Sequence, residues 1–219
     1  MNPNDIVWPE IWQGLQDTLV MSGVSLGFTL LLGLPLGVLL FLTGKQQLLQ
    51  HKGVYAALSV AINFLRSVPF IILLIIMMPL TVWLIGTSIG IAGAIPPLVA
   101  AAAPFYARLV ENVLREVDHG VVEACQAMGA RRRQIIWGAL IPEALPGLLA
   151  AATVTGVALV SYSAMAGAIG GGGLGDLAIR YGYQRFQVDV MVITVVLMVA
   201  LVQVLQLAGD RLVLHFTRR

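Results

Sequence analysis

Four long stretches of this chain contain no Asp, Glu, Lys or Arg: residues 18–44, 67–107, 144–175 and 190–209. A transmembrane helix needs about 20 consecutive apolar residues to cross the hydrocarbon core of a bilayer. The second stretch is about twice that length, and "GTSIG" places turn-forming residues near its middle. The sequence therefore predicts five transmembrane helices, at approximately residues 17–42, 55–84, 89–109, 143–168 and 188–208.

The basic residues predict the orientation, because cytoplasmic loops retain an excess of Lys and Arg. With the N-terminus outside, the outer loops hold Arg180 and Arg185. The inner loops and the tail then hold Lys45, Lys52, Arg108, Arg115, Arg131, Arg132, Arg133, Arg211, Arg218 and Arg219. We therefore expect one all-α membrane domain over residues 1–219, N-terminus outside and C-terminus inside, with a cytoplasmic loop at about residues 118–138. The acidic N-terminus and long first apolar run predict no cleavable signal peptide.

The second span has an uncertain start, because Arg66 interrupts its apolar pattern. Residues 54–65 could form a separate interfacial helix. We favour one long tilted helix over residues 55–84, kinked at Pro69 and Pro79, with Arg66 near the inner surface. An unpaired charge at mid-bilayer is costly.

The remaining helices have recognisable packing and end signals. The first span contains the G-x-x-x-G spacing twice, at Gly23 to Gly27 and at Gly33 to Gly37. This spacing lets another helix approach closely. The simpler interpretation is that the approaching helix belongs to the same chain. The third span is expected to continue as a polar helix until Gly120. The fourth is expected to begin after prolines 142 and 146, because proline is tolerated at helix starts.

Signatures of catalysis and cofactor binding are missing from the sequence. Glycines 170, 172 and 175 match G-x-G-x-x-G but follow a membrane span instead of a strand, so a dinucleotide site is not expected. No G-x-x-x-x-G-K-[ST] phosphate loop is present, the three histidines are far apart, and the single Cys125 excludes an internal disulfide. We expect no catalytic residues, metal site, ATP site or nucleic-acid binding in this chain.

The loop "VVEACQAMGARRRQIIWGALIPEALPG" is unusually polar for such an apolar protein. Residues 118–126 are predicted to form a short helix, Gly129 to break it, and a second helical stretch to begin near Arg131. Alanines 124, 127 and 130 keep one surface thin, as a segment docked in another protein's groove requires. Arginines 131 to 133 have an alternative explanation, since basic loops also bind anionic lipid and fix topology.

The spacing of this loop resembles the EAA loop of permease subunits of bacterial ATP-binding cassette importers. Its pattern is EAA, three residues, Gly, nine residues, then I-x-L-P. Here "EAC", Gly129 and Pro142 stand at the matching places, with Cys125 for Ala, Ala139 for Ile and Ile141 for Leu. The resemblance implies a type I importer permease fold. It also implies that Glu123, Ala124, Cys125, Gly129, Arg131, Arg132, Arg133 and Pro142 couple the chain to an ATPase.

Further segments narrow the resemblance to permeases of bacterial methionine uptake systems: "NFLRSVPFIILL", "AAAPFYARLVENVL", "EACQAMGA" and "YSAMAGAIGGGGLG". It covers essentially the whole chain. In that family two permease copies in the inner membrane pair with two cytoplasmic ATPase subunits, which bind ATP and Mg. A periplasmic or lipid-anchored binding protein delivers D- or L-methionine.

The lining of a substrate path is the least determined feature. Tyr162, Ser163 and Met165 lie in the outer half of the fourth span beside small residues, and Met and Tyr suit a thioether amino acid. Packing against neighbouring helices explains them equally well. Three other functions stay open: a permease for another small amino acid, a secondary transporter or channel, and a structural adaptor.

Overall fold

The computed structural model describes residues 8–217, and every regular element among them is helical. The predicted all-α fold is confirmed. The basic residues Arg218 and Arg219, used for the predicted orientation, lie outside the described residues. The helices are α1 (Trp8–Thr43), α2 (Lys52–Ser67), α3 (Phe70–Ile85), α4 (Gly90–Glu116), α5 (His119–Ala127), α6 (Arg132–Gly167), α7 (Gly173–Leu177) and α8 (Val188–Thr217). A π-helical segment, Ala178–Tyr183, directly follows α7.

Four of these helices, α1, α4, α6 and α8, are each long and apolar enough to cross a membrane. A fifth span is obtained if the bent pair of α2 and α3 crosses as one unit. The structure contains no membrane, so the number of transmembrane spans and the orientation of the chain remain predictions. One half of the bundle has a core made mainly by α1, α4 and α6, whose buried members include Phe41, Tyr106, Leu114 and Leu148.

Helices α1 and α4 approach closely at Gly33 and Gly37. A Cβ atom on Gly37 would lie 2.5 Å from the carbonyl oxygen of Ala107, which leaves no room for any side chain. At Gly23 and Gly27 an added Cβ would meet nothing within 4 Å. Packing within the chain therefore explains the second G-x-x-x-G pair but not the first.

The expectation of one continuous helix over residues 55–84 is wrong. Helix α2 ends at Ser67, Val68 is extended (φ −79°, ψ 125°), and α3 begins at Phe70 after a bend of 107°. Proline 69 explains the break, because its ring disfavours helical geometry at the preceding residue. The separate helix that was the alternative describes this region better, although Arg66 lies within its last turn.

Two predicted helix ends are also wrong. Helix α4 ends at Glu116, not Gly120, because Val117 turns extended and the Asp118 carboxylate caps α5, accepting a hydrogen bond from the Gly120 N–H at 2.8 Å. Helix α6 begins ahead of Pro142, at Arg132. A π-helical turn over Ile136–Leu140 precedes that proline. Such a turn relaxes the ladder where proline supplies no N–H donor.

The glycine-rich segment after α6 and the short helix α7 are closely packed against α1 and α6. The Leu174 N–H donates a hydrogen bond to the Thr18 hydroxyl at 2.9 Å, and a Cβ on Gly175 would lie 2.4 Å from the Ala164 carbonyl oxygen. Beyond α7, Tyr181 donates to a Glu10 carboxylate oxygen at 2.9 Å. This hydrogen bond raises the pKa of the Tyr181 phenol above its usual value. The connection from α6 to α7 is therefore closely packed.

Candidate functional site

Helix α5 is a nine-residue helix at one end of the bundle, and none of its residues is fully buried. Its anchoring is sparse: the Asp118 cap holds its first turn, and Val122 packs against the core cluster that contains Leu114 and Leu140. A surface helix usually buries one apolar stripe to be stable. Most of the α5 surface is therefore available to another molecule.

Gly129 ends α5 in a Schellman motif. Its φ of +78° lies in the left-handed region that favours glycine. The Ala130 N–H donates to the Cys125 carbonyl at 3.0 Å, and the Gly129 N–H donates to the Gln126 carbonyl at 2.9 Å. The predicted helix break at Gly129 and the restart near Arg131 are both confirmed. The turn is fixed by backbone geometry.

The predicted coupling residues differ in exposure. Glu123, Ala124, Gly129 and arginines 131 to 133 are exposed, whereas Cys125 is half-buried. Within residues 8–217, neither Glu123 nor these arginines form an ion pair at 4.0 Å or less. Pro142 is also exposed, but it lies inside α6 and apart from the α5 helix. The segment presents unpaired charges to a partner.

A polar cavity of about 500 Å³ separates α5 from the connection between α1 and α2. Gln46, Gln47, His119, Glu123 and Arg132 line it. Charged and amide groups on facing walls can accept a complementary polar surface. The structure thus places Glu123 and Arg132 at one cavity.

Two large apolar side chains on this surface were not anticipated from the sequence. Met128 is 79% exposed and Trp137 is 63% exposed, and Trp137 lines a second cavity with Arg131 and Arg133. Exposed Trp and Met are typical of protein interfaces. One indication of this role is present in the sequence, because both side chains are large and apolar but occur in an otherwise polar loop.

A buried charge network was also missed. The Glu111 carboxylate is 1% exposed and pairs with Arg108 and, at 2.7 Å, with Arg115. It also accepts a hydrogen bond from the Tyr55 hydroxyl at 3.2 Å. Arg108 in turn donates to Ser59 at 2.8 Å. This network, centred on Glu111, ties α2 to α4 just before the chain enters α5.

Only two of the three residues predicted to contact substrate line a common cavity. Ser163 is buried and its hydroxyl donates to the Val160 carbonyl at 2.7 Å. Tyr162 stacks on Phe70 with ring centroids 4.8 Å apart, and Met165 is 47% exposed. Tyr162 and Met165 both line a cavity at the break between α2 and α3. Ser163 lines neither this cavity nor the neighbouring one between α6 and α8.

Two adjoining cavities lie on the side of the bundle that carries Met165. The first, of about 540 Å³, lies at the break between α2 and α3, and the second, of about 690 Å³, lies between α6 and α8. Both include Ile71 and Met165 in their linings, so they meet at these side chains. We call the two together the joined cavity. Most of its lining is apolar.

Comparison with known proteins agrees with this geometry. Residues 22–219 match the family described as binding-protein-dependent transport system inner membrane component. A probable D-methionine transport system permease protein of Vibrio cholerae is 47% identical over 99% of this chain and 94% of its own length. A methionine import system permease protein of Bacillus subtilis is 47% identical over 92% of this chain and 90% of its own length.

Solved structures give the same result. A chain from the inward-facing MetNI methionine ABC transporter superposes with a TM-score of 0.95 at 47% identity, covering 99% of both chains. A chain from an amino acid ABC transporter has a TM-score of 0.72 at 20% identity, covering 96% of this chain and 94% of its own, and shows the shared fold alone. The family match spans the α5 surface and the joined cavity. This chain belongs to the family of binding-protein-dependent transport system inner membrane components.

Proposed function

We propose that this chain is the transmembrane permease subunit of an ATP-driven importer that carries methionine, as the D- or L-isomer, across the bacterial inner membrane. Relatives named for methionine transport match nearly the full length of the chain. The observation that carries the proposal is the α5 surface. It combines the spacing of an ATPase-docking loop with a helix that its own chain leaves uncovered.

Coupling depends on how the two ends of α5 are joined to the bundle. The Asp118 cap and the Schellman turn at Gly129 fix the two ends of α5. The network centred on Glu111 holds α2 and α4 together immediately before it. When ATP binding closes the ATPase dimer, displacement of α5 moves α4 and α6 as packed units and opens the path alternately to each side.

The ATPase docks through shape and charge together. Ala124 and Gly129 leave the α5 surface thin, while Met128 and Trp137 supply the exposed apolar contacts. Exposed ion pairs contribute only about 0 to 1 kcal/mol each. Charges such as Glu123 therefore orient the docking and contribute less to its strength.

Two copies of the chain form the path. One chain presents the joined cavity as an open, largely apolar face, and a two-fold axis through such a face encloses it between identical walls. We place ATP and Mg on the ATPase subunits. This chain is the non-catalytic membrane component, surrounded by membrane lipid and supplied by a periplasmic or lipid-anchored binding protein.

Uptake into proteoliposomes tests the function. The chain is purified with its ATPase, reconstituted, and given radiolabelled L-methionine with its binding protein, with and without ATP. We expect uptake that requires ATP and is competed by unlabelled D- or L-methionine but weakly by other amino acids. Uptake independent of ATP would refute the importer, and equal competition by another small amino acid would reassign the substrate.

A further inference from the structure

One cavity at the break between α2 and α3 combines a single cation with an apolar, aromatic wall. Arg66, Phe70, Phe105, Tyr162 and Met165 are among its lining residues, and its volume is about 540 Å³. Small-molecule sites have this size and this composition, with a few polar groups placed among hydrophobic and aromatic side chains. Arg66 is the only charged residue among the lining residues that the structure describes.

Arg66 lacks the partners that the neighbouring arginines have. Arg108 and Arg115 both pair with the buried Glu111. Within residues 8–217, no carboxylate lies within 4.0 Å of the Arg66 guanidinium; its carbon lies 5.7 Å from the centroid of the Phe105 ring. Its five N–H donors are therefore open to a ligand.

The position of Arg66 makes the lack of an ion-pair partner unusual. The facing Phe105 belongs to the charge-free stretch at residues 67–107 and lies about one helical turn before Arg108 on α4. A charged residue within a membrane span is costly and faces a cavity or a partner. Here the bend of 107° after Ser67 ends α2 beside the cavity, with Arg66 in its last turn.

The lining matches the chemistry of an amino acid with a thioether side chain. A guanidinium binds a carboxylate through two parallel hydrogen bonds. The Met165 sulfur and the stacked rings of Phe70 and Tyr162 offer a polarisable wall for a thioether. The ring faces also suit an ammonium group, since cations bind over aromatic rings.

We propose that Arg66 binds the α-carboxylate of the transported amino acid, with Tyr162 and Met165 against its side chain. This proposal rests on the proposed function and deepens it. It assigns to Arg66 the recognition of the group that all amino acids share, and to the cavity wall the choice of side chain. Arg66 thereby separates free amino acids from derivatives that lack the carboxylate.

Two measurements test this subsite. The first is ATP-dependent uptake of L-methionine in proteoliposomes that contain the permease, its ATPase and saturating binding protein. Arg66→Gln is expected to lower uptake about tenfold or more, because one charge-assisted pair is lost. The control Arg185→Gln, which removes an exposed arginine that lies over the Tyr181 ring, is expected to keep the wild-type rate.

The second measurement uses binding of radiolabelled L-methionine to the permease and ATPase complex in nanodiscs. Methioninol, which replaces the carboxylate by an alcohol, is expected to compete about tenfold more weakly than methionine in the wild type and equally well in Arg66→Gln. An arginine that only anchors α2 at the membrane surface would leave this ratio unchanged. An unchanged ratio, or uptake by Arg66→Gln within twofold of wild type, would overturn the proposal.

Failure of the two proposals can be distinguished. If the wild-type complex transports no methionine, the proposed function fails. If it transports methionine and the Arg66 variants behave as wild type, only the subsite fails. Should Arg66→Gln not copurify with the ATPase, Arg66→Lys carries the test: it keeps the charge, loses the paired geometry, and is expected to reduce the discrimination against methioninol. An unchanged ratio in that variant would equally overturn the proposal.

Discussion

Replacing Gly129 by Ala isolates the contribution of the turn after α5. The φ of +78° at Gly129 costs a residue with a side chain about 1–2 kcal/mol. An added Cβ at this position would meet nothing within 4 Å outside its chain neighbours, so the cost is local to the backbone and includes no clash with the rest of the fold. An energy of this size changes the ratio of ordered to disordered turn by a factor of roughly 5–30.

The measurement is ATP hydrolysis stimulated by substrate-loaded binding protein, together with methionine uptake. Because α5 has little other anchoring, we expect both rates for Gly129→Ala to fall by up to about 5–30-fold as the ordered turn is lost. Gly129→Asp adds an acidic group to the docking surface and is expected to abolish both. The variant chains are expected to insert and purify normally, since the core lies elsewhere.

Gly138→Ala is the matched control. A Cβ on Gly138 would also meet nothing within 4 Å, but Gly138 lies within the helical segment that follows the turn and has no positive φ. Alanine in a helix is about 0.5–1 kcal/mol more favourable than glycine, so this variant should retain activity. Uptake by Gly129→Ala within twofold of Gly138→Ala would refute the argument.

Three further substitutions test the packing. Glu111→Gln leaves two arginines without their buried partner and should lower the stability of the chain in detergent by about 3–5 kcal/mol; the exposed Glu116→Gln should not, and equal thermal unfolding would contradict the network. Gly37→Ala inserts a methyl group against α4 and should cost about 1–3 kcal/mol, whereas Gly27→Ala on the open side of α1 should leave the melting temperature unchanged. Thr18→Val removes the acceptor of a buried N–H and should cost about 1–3 kcal/mol, seen as faster hydrogen exchange in α7.

The long helices could be predicted because charge-free stretches report directly on burial in a membrane. Gly129 could also be placed, since a glycine between two polar helical segments is a strong stop. The break at Val68 could not: proline kinks many membrane helices, and only three-dimensional packing shows whether a kink becomes a bend of 107°. The same limit explains the early start of α6, where a π-helical turn precedes Pro142.

The cavity lining was less accessible to sequence analysis. Helix α6 is apolar on all sides, so periodicity does not tell which of Tyr162, Ser163 and Met165 faces the core. Glu111 and Arg115 are four residues apart, a spacing that allows contact along one helix, but the sequence does not show the burial of Glu111 or its bond to Tyr55 on another helix. Such contacts between distant residues depend on tertiary structure alone.

The sparse anchoring of α5 has a consequence for how the cell handles an unassembled copy. A helix with no buried residue opens locally at little cost, and exposed chain of this kind is where proteases cut first. We therefore expect a copy without an ATPase partner to be cleaved first in this segment, where Met128 and Trp137 are uncovered. Since docking in the proposed complex would hide the same segment, we expect the ATPase to protect the permease from this cleavage.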